Sequence, residues 1–217
     1  MRMPPVLGKR RLHVALATSG AAVATLLGAS PADADTGLAV TNPSFIQPWI
    51  DPISSGAYLT VGYASDAIAG WRVTNGNVDV YGRATAKTSG SSVVENGSQS
   101  IDLNGGEPGG IEQTLNTTPG TTVTVSFAAR INDHPWCEAN AATVNESMFV
   151  QFAGDPDSAR FFSLGSVSAP GKYTEWQLLR AVLPATGRHS RLQFISSTTG
   201  GCGPQITDIK ATDNLIP

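Results

Sequence analysis

Within seven residues, the segment Asn132-Asp133-His134-Pro135-Trp136-Cys137-Glu138 gathers an indole, an imidazole, an amide and two carboxylates beside a cysteine. A flat aromatic face receives the apolar side of a sugar ring, while amide, carboxylate and guanidinium groups satisfy its hydroxyls. Trp136 is therefore the leading candidate for a binding platform, with shielding of a disulfide as the alternative. Tyr81 and Arg83 follow a strand-like run into a loop, and Asn104 and Glu112 flank a Gly/Pro-rich stretch. These four are the candidate hydroxyl-binding groups. The plainer readings are that Asn104 shapes its turn and Glu112 faces water.

Catalytic patterns are scarce. No G-x-S-x-G nucleophile elbow occurs, which disfavours a serine hydrolase. His134 and His189, the histidines after residue 34, show no H-E-x-x-H or H-x-H spacing, which disfavours a catalytic zinc. A glycosidase needs two carboxylates about 5 to 10 Å apart across a cleft, and sixteen acidic residues after residue 34 allow many pairs without singling one out. Binding without catalysis is the expectation. A carboxyl with a strongly shifted pKa inside a pocket is the feature that would favour an enzyme.

The elements that must hold these residues are short strands. Twenty-three glycines and fourteen prolines break the chain too often for a helix of useful length. Val123, Val125 and Phe127 alternate with Thr122, Thr124 and Ser126, and Met148, Val150 and Phe152 repeat the pattern, as half-buried strands require. Further strands are expected at 71–73, 78–81, 100–103, 111–115, 175–183, 191–195 and 205–210. Turn chemistry separates them at Asn75-Gly76, Asn96-Gly97, Asn104-Gly105-Gly106, Pro108-Gly109-Gly110, Pro119-Gly120 and Pro170-Gly171. About nine such strands point to an all-β, antiparallel β-sandwich or jelly roll. Trp71 and Trp176 read as core residues. Residues 35–60 carry Pro43, Pro48 and Pro52, which break any continuous strand, with Phe45 and Trp49 expected to tuck into the core.

The ends and the composition place the chain outside the cell. Lys9-Arg10-Arg11, the low-charge run Leu12 to Ala29 and the small-residue sequence Ala32-Asp33-Ala34 read as a signal peptide cleaved after residue 34. The alternative is a membrane anchor, but the run contains Thr18, Ser19, Gly20 and Thr25 and sits at the short limit of a span of about 20 residues. The general secretory and twin-arginine routes both fit. Residues 35–217 then form one domain, with 10 basic and 16 acidic residues and a formal charge of −6. That balance, with no Lys/Arg cluster, disfavours nucleic acid and anionic membranes as partners. Cys137 and Cys202, the two cysteines of the chain, both fall in the exported part and are expected to form a disulfide.

An ordered series of motifs resembles a family. Gly70-Trp71-Arg72-Val73, Asn77-Val78-Asp79, Ser100-Ile101-Asp102-Leu103-Asn104-Gly105, Pro108-Gly109, Ile111, Gln113-Thr114, Pro119-Gly120 and the closing Cys202-Gly203-Pro204 with Asp208 resemble the choice-of-anchor C family of bacterial exported proteins. They are similar also to the plant cell-wall family called domain of unknown function 642. The resemblance spans residues 41–211 and implies a galactose-binding-like jelly roll with no established catalytic activity. Its expected partner is a polysaccharide or cell-wall glycan, with an adhesive envelope protein that binds another protein as the second reading and a glycoside-active enzyme as the third. No cofactor is expected. The family's opening Asn-Gly-Ser-Phe-Glu stands here as Asn42-Pro43-Ser44-Phe45-Ile46, and its closing acidic pair as Thr207-Asp208. Asp208 is thus the remaining candidate ligand for the structural calcium that related sandwiches hold, a thin set for a cation that wants several oxygens.

Overall fold

A computed structural model describes residues 36–51, 58–82, 94–95, 97–168 and 175–214. The described residues form twelve strands: β1 (Thr36–Leu38), β2 (Tyr58–Gly62), β3 (Arg72–Asn75), β4 (Asn77–Tyr81), β5 (Ser100–Asp102), β6 (Gly110–Asn116), β7 (Thr121–Arg130), β8 (Glu146–Phe152), β9 (Arg160–Gly165), β10 (Gln177–Ala185), β11 (His189–Ser196) and β12 (Gln205–Asn214). One short helix, α1 (Pro135–Asn140), and a 3-10 turn at Pro156–Ser158 interrupt them. The larger sheet runs β10-β7-β12-β5-β4-β2, with β1 also on β12, and the smaller runs β3-β6-β11-β8-β9. All strand pairs are antiparallel. The facing orders β5-β12-β7-β10 and β6-β11-β8-β9, entered by a chain that crosses repeatedly between sheets, make a jelly roll.

Alternation builds the core. Val123, Val125, Phe127 and Ala129 of β7 point inward and are fully buried, while Thr122, Thr124 and Ser126 face out. Phe127, Phe194 and Trp71 meet edge to face between the sheets, with ring centroids 5.1 Å and 6.2 Å apart. Aromatic pairs prefer this arrangement because the positive edge of one ring meets the negative face of the next. Phe45 is fully buried as expected, but Trp49 is about half exposed. The neighbouring Ile50 packs against the core in its place.

A bulge in β12 governs how the opening segment docks. The register shifts between Thr207 and Lys210, and Asp208 takes φ 52°. Its Oδ1 accepts the hydroxyls of Ser44 and Ser98, each at 2.6 Å, and its Oδ2 accepts the backbone N–H of Glu95 at 2.6 Å. The carboxylate therefore ties the opening segment, the stretch at 95–98 and β12 together through protein donors. Among the described residues no group of three or more His, Cys, Asp or Glu side chains converges as a metal site. Asp208→Ala is expected to lower unfolding free energy by about 3 kcal/mol, from lost charge-assisted bonds and an alanine forced into the left-handed region. Asp208→Asn, which tolerates that backbone, should cost less, and urea unfolding of both variants checks the order.

Candidate functional site

Strand register aligns a polar row on the outer face of the larger sheet. Thr60 lies opposite Asp79, Asp79 opposite Asp102, Asp102 opposite Gln205, and Gln205 opposite Arg130. Their neighbours Val78, Val80, Ile101, Ile206 and Ala129 turn the other way into the core. An outer face normally meets water, yet Asp79, Asp102, Gln205 and Arg130 are all buried.

The cover is the segment from Asn132 through α1, and the disulfide Cys137–Cys202 bonds it to the loop before β12. The Asn132 side-chain amide donates to Asp102 Oδ2 at 2.6 Å, its backbone N–H donates to Glu146 Oε2 at 2.9 Å, and its Oδ1 accepts from Gln205 at 3.3 Å. Gly203 N–H and Asn104 N–H complete Asp102 Oδ1. Arg130 donates to Gln205 and Asp133 and lies 5.0 Å over the Trp176 ring. Trp176 is buried as expected, but under this guanidinium and outside the inter-sheet cluster.

Burial among carboxyls sets the electrostatics. Desolvation pushes Glu146 up to about 8, against the Asn132 N–H and Arg130, and pushes Asp79 up to about 6, against the Thr60 hydroxyl. It holds Asp102 well above the usual carboxylate range even though three N–H groups favour its anion. Like charges directly opposite across a strand pair are unfavourable, and protonation relieves Asp79 facing Asp102.

Where the row meets β2 and β4, a cleft of about 380 Å³ opens. Tyr58, Asp79 and Tyr81 line it from the sheet, His134 and Trp136 from the covering segment, and Gly105 and Gly106 from the turn after β5. Gly105 packs closely over this wall: a Cβ there would lie 2.9 Å from Asp79 Oδ1 and 2.7 Å from Asn77 Oδ1, so a larger residue would displace both side chains. Tyr58 and Tyr81 rings sit 5.4 Å apart, and His134 lies 6.1 Å from Tyr81. Trp136 is 55% exposed and Tyr58 51% exposed, so both rings keep a face free for a ligand. His134 Nδ1 accepts the Trp136 N–H at 3.2 Å, and Asn140 donates to the Trp136 carbonyl at 2.8 Å. Together with the disulfide, these bonds hold the backbone at Trp136 in place.

The sequence-derived candidates divide. Trp136 and Tyr81 come together in the cleft. Asn104 lies beneath it and is fully buried, its amide donating to the carbonyls of Thr198 and Gly200. It braces the loop carrying Cys202 and makes no contact with the cleft, because Gly203 packs against it: a Cβ on Gly203 would come within 2.1 Å of Asn104 Oδ1. Glu112 stands apart, since β6 belongs to the other sheet; there it accepts from Gln193 at 2.8 Å and pairs with Arg191 at 3.3 Å. Arg83 lies outside the described residues. Sequence reasoning passed over Asp79, Tyr58 and His134. The period-2 pattern of β4 places Asp79 on the same face as Tyr81, and that signal could have found it.

Comparison with known proteins gives four findings. Over 76 residues the chain is 42% identical to Halomucin of Haloquadratum walsbyi, a match covering 35% of this chain and 1% of that protein. Among solved structures it is similar to a family 35 carbohydrate-binding module from Clostridium thermocellum, at 16% identity and TM-score 0.41, over 70% of this chain and 97% of that one. It is similar also to the CBM22-1 xylan-binding domain from Paenibacillus barcinonensis Xyn10C, at 12% identity and TM-score 0.42, over 74% and 97% of the two chains. Residues 39–212 match a family model, and the chain thus belongs to the family described as protein of unknown function (DUF642).

Proposed function

We propose that this protein is an exported, non-catalytic binding module whose ligand is an extracellular or cell-wall polysaccharide held in the cleft between β2, β4 and the α1 segment. One observation carries the reading: two half-exposed aromatic rings, Trp136 and Tyr58, line the same cleft as a carboxyl and an imidazole. Its volume of about 380 Å³ falls within the range of small-ligand sites, about 300–1,000 Å³. Residues 1–34 act in this reading as the export signal, which places the module outside the cell.

Asp79 favours a second, hydrolytic reading, because its carboxyl is pushed up to about 6 inside the cleft. Glycoside hydrolysis asks for a second carboxyl facing the substrate. Asp102, the carboxyl opposite Asp79, is fully buried and accepts three N–H groups. Asp79, though buried, lines the cleft and Asp102 does not, and a single carboxyl there supports binding better than bond cleavage. Retention of the purified protein on a panel of insoluble polysaccharides and isolated cell walls tests the proposal. Saturable retention on one glycan is the expected result; no retention on any of them would contradict it and point to a protein ligand.

A further inference from the structure

Asp79 is a carboxyl that lines the cleft, and no cation among the described residues pairs with it. Its Oδ1 accepts the Thr60 hydroxyl at 2.6 Å, and none of the ion pairs among the described residues includes it. Across the strand pair it faces Asp102, another carboxyl. Arg130, the cation of the polar row, stands three strands away on β7 and is engaged by Asp133 and Gln205.

The rings around Asp79 carry the same sign of preference. Tyr58 and Tyr81 are 5.4 Å apart with their planes 36° from parallel, and Trp136 faces the same space. Aromatic faces are the negative part of the ring quadrupole, and rings grouped about a carboxylate hold an ammonium better than a neutral hydroxyl. Residues 35–217 carry a formal charge of −6, which repels polyanions and draws polycations.

We propose that the cleft selects an amino sugar, seating the ammonium of a cationic polysaccharide unit on Asp79 between Tyr58, Tyr81 and Trp136. This rests on the polysaccharide reading above and narrows it. A neutral hexose leaves the carboxylate without a counter-ion, and a uronic acid opposes it.

Calorimetric titration of the purified protein with three β-1,4-linked oligosaccharides of equal length tests this: a glucosamine oligomer, its N-acetylated form and a glucose oligomer. The amino form should bind about ten-fold tighter than the other two, and Asp79→Asn should bring it down to their level. Equal binding of the neutral forms, or a preference that survives Asp79→Asn, overturns the inference and leaves the polysaccharide reading standing. Binding of none of the three, with retention on some other glycan, also overturns the inference alone. No binding here and no retention on the insoluble panel overturns both.

Discussion

Replacing Cys137 and Cys202 together with alanine is expected to lower the unfolding free energy by about 4 kcal/mol and to abolish retention on the ligand. The bond spans 65 residues, and cross-linking a loop of that length removes an unfolded-state entropy worth about 4 kcal/mol. For a domain of this size the melting temperature should fall by roughly 8–16 °C. Binding should suffer because the same bond pins the segment bearing His134 and Trp136 over the polar row. Urea unfolding at equilibrium measures the first effect, and polysaccharide retention at a temperature where the variant is still folded measures the second. A variant that is as stable as the parent and is retained equally well would contradict this role for the bond.

The second large effect is an inverted dependence on pH. Glu146 is pushed up to about 8 when folded, from an ordinary value of 4.5, and Asp79 up to about 6 from 3.8, both chiefly by burial. Between its two values each group binds more protons folded than unfolded, so stability falls as pH rises through the window. The contribution of Glu146 is fully present below 4.5 and gone above about 8; at 1.36 kcal/mol for each pH unit, it amounts to about 5 kcal/mol. Asp102, held high by the same burial, acts in the same direction. The protein is therefore expected to melt at a higher temperature in mild acid than in mild base. Glu146→Gln keeps an acceptor for the Asn132 N–H and removes the titration, so it should flatten the profile and stabilise the protein above about pH 8. A melting temperature that climbs from mild acid to mild base would contradict the buried-carboxyl assignment.

Strands that alternate were legible from residues alone. β7 and β8 pair apolar inward positions with polar outward ones, and β4, β6, β11 and β12 fall where expected, with β12 running on to Asn214. β2 and β9 were missed for a physical reason. Both lie at sheet edges, β2 with four of its five residues exposed and β9 with Phe161 and Phe162 adjacent in sequence, so neither shows a clean period of two. The helix α1 has six residues, too few for a 3.6-residue pattern to register.

The site was legible in part. Trp136 and Tyr81 stood out because an aromatic ring in a polar segment, or at the end of a strand, has few structural explanations. Glu112 misled because β5 and β6 are neighbours along the chain but belong to opposite sheets. Asp79 was hidden by its setting, since a carboxylate between Val78 and Val80 reads as a solvent-facing strand position. Thr60 of β2 and Gly105 of the turn after β5 close over it, and the other wall of its cleft is the α1 segment, held by a cross-link to a loop later still; no local pattern encodes that.

Trp136→Ala, measured for polysaccharide retention and thermal melting on the same sample, tests the central claim most directly. The indole is 55% exposed and lines the cleft, so the variant should lose retention while its melting temperature stays within a few degrees of the parent, about the size expected for a surface substitution. Retention equal to the parent would remove the cleft as the binding site. Loss of retention together with a large fall in melting temperature would make Trp136 a structural cover for the disulfide and contradict its role as a platform.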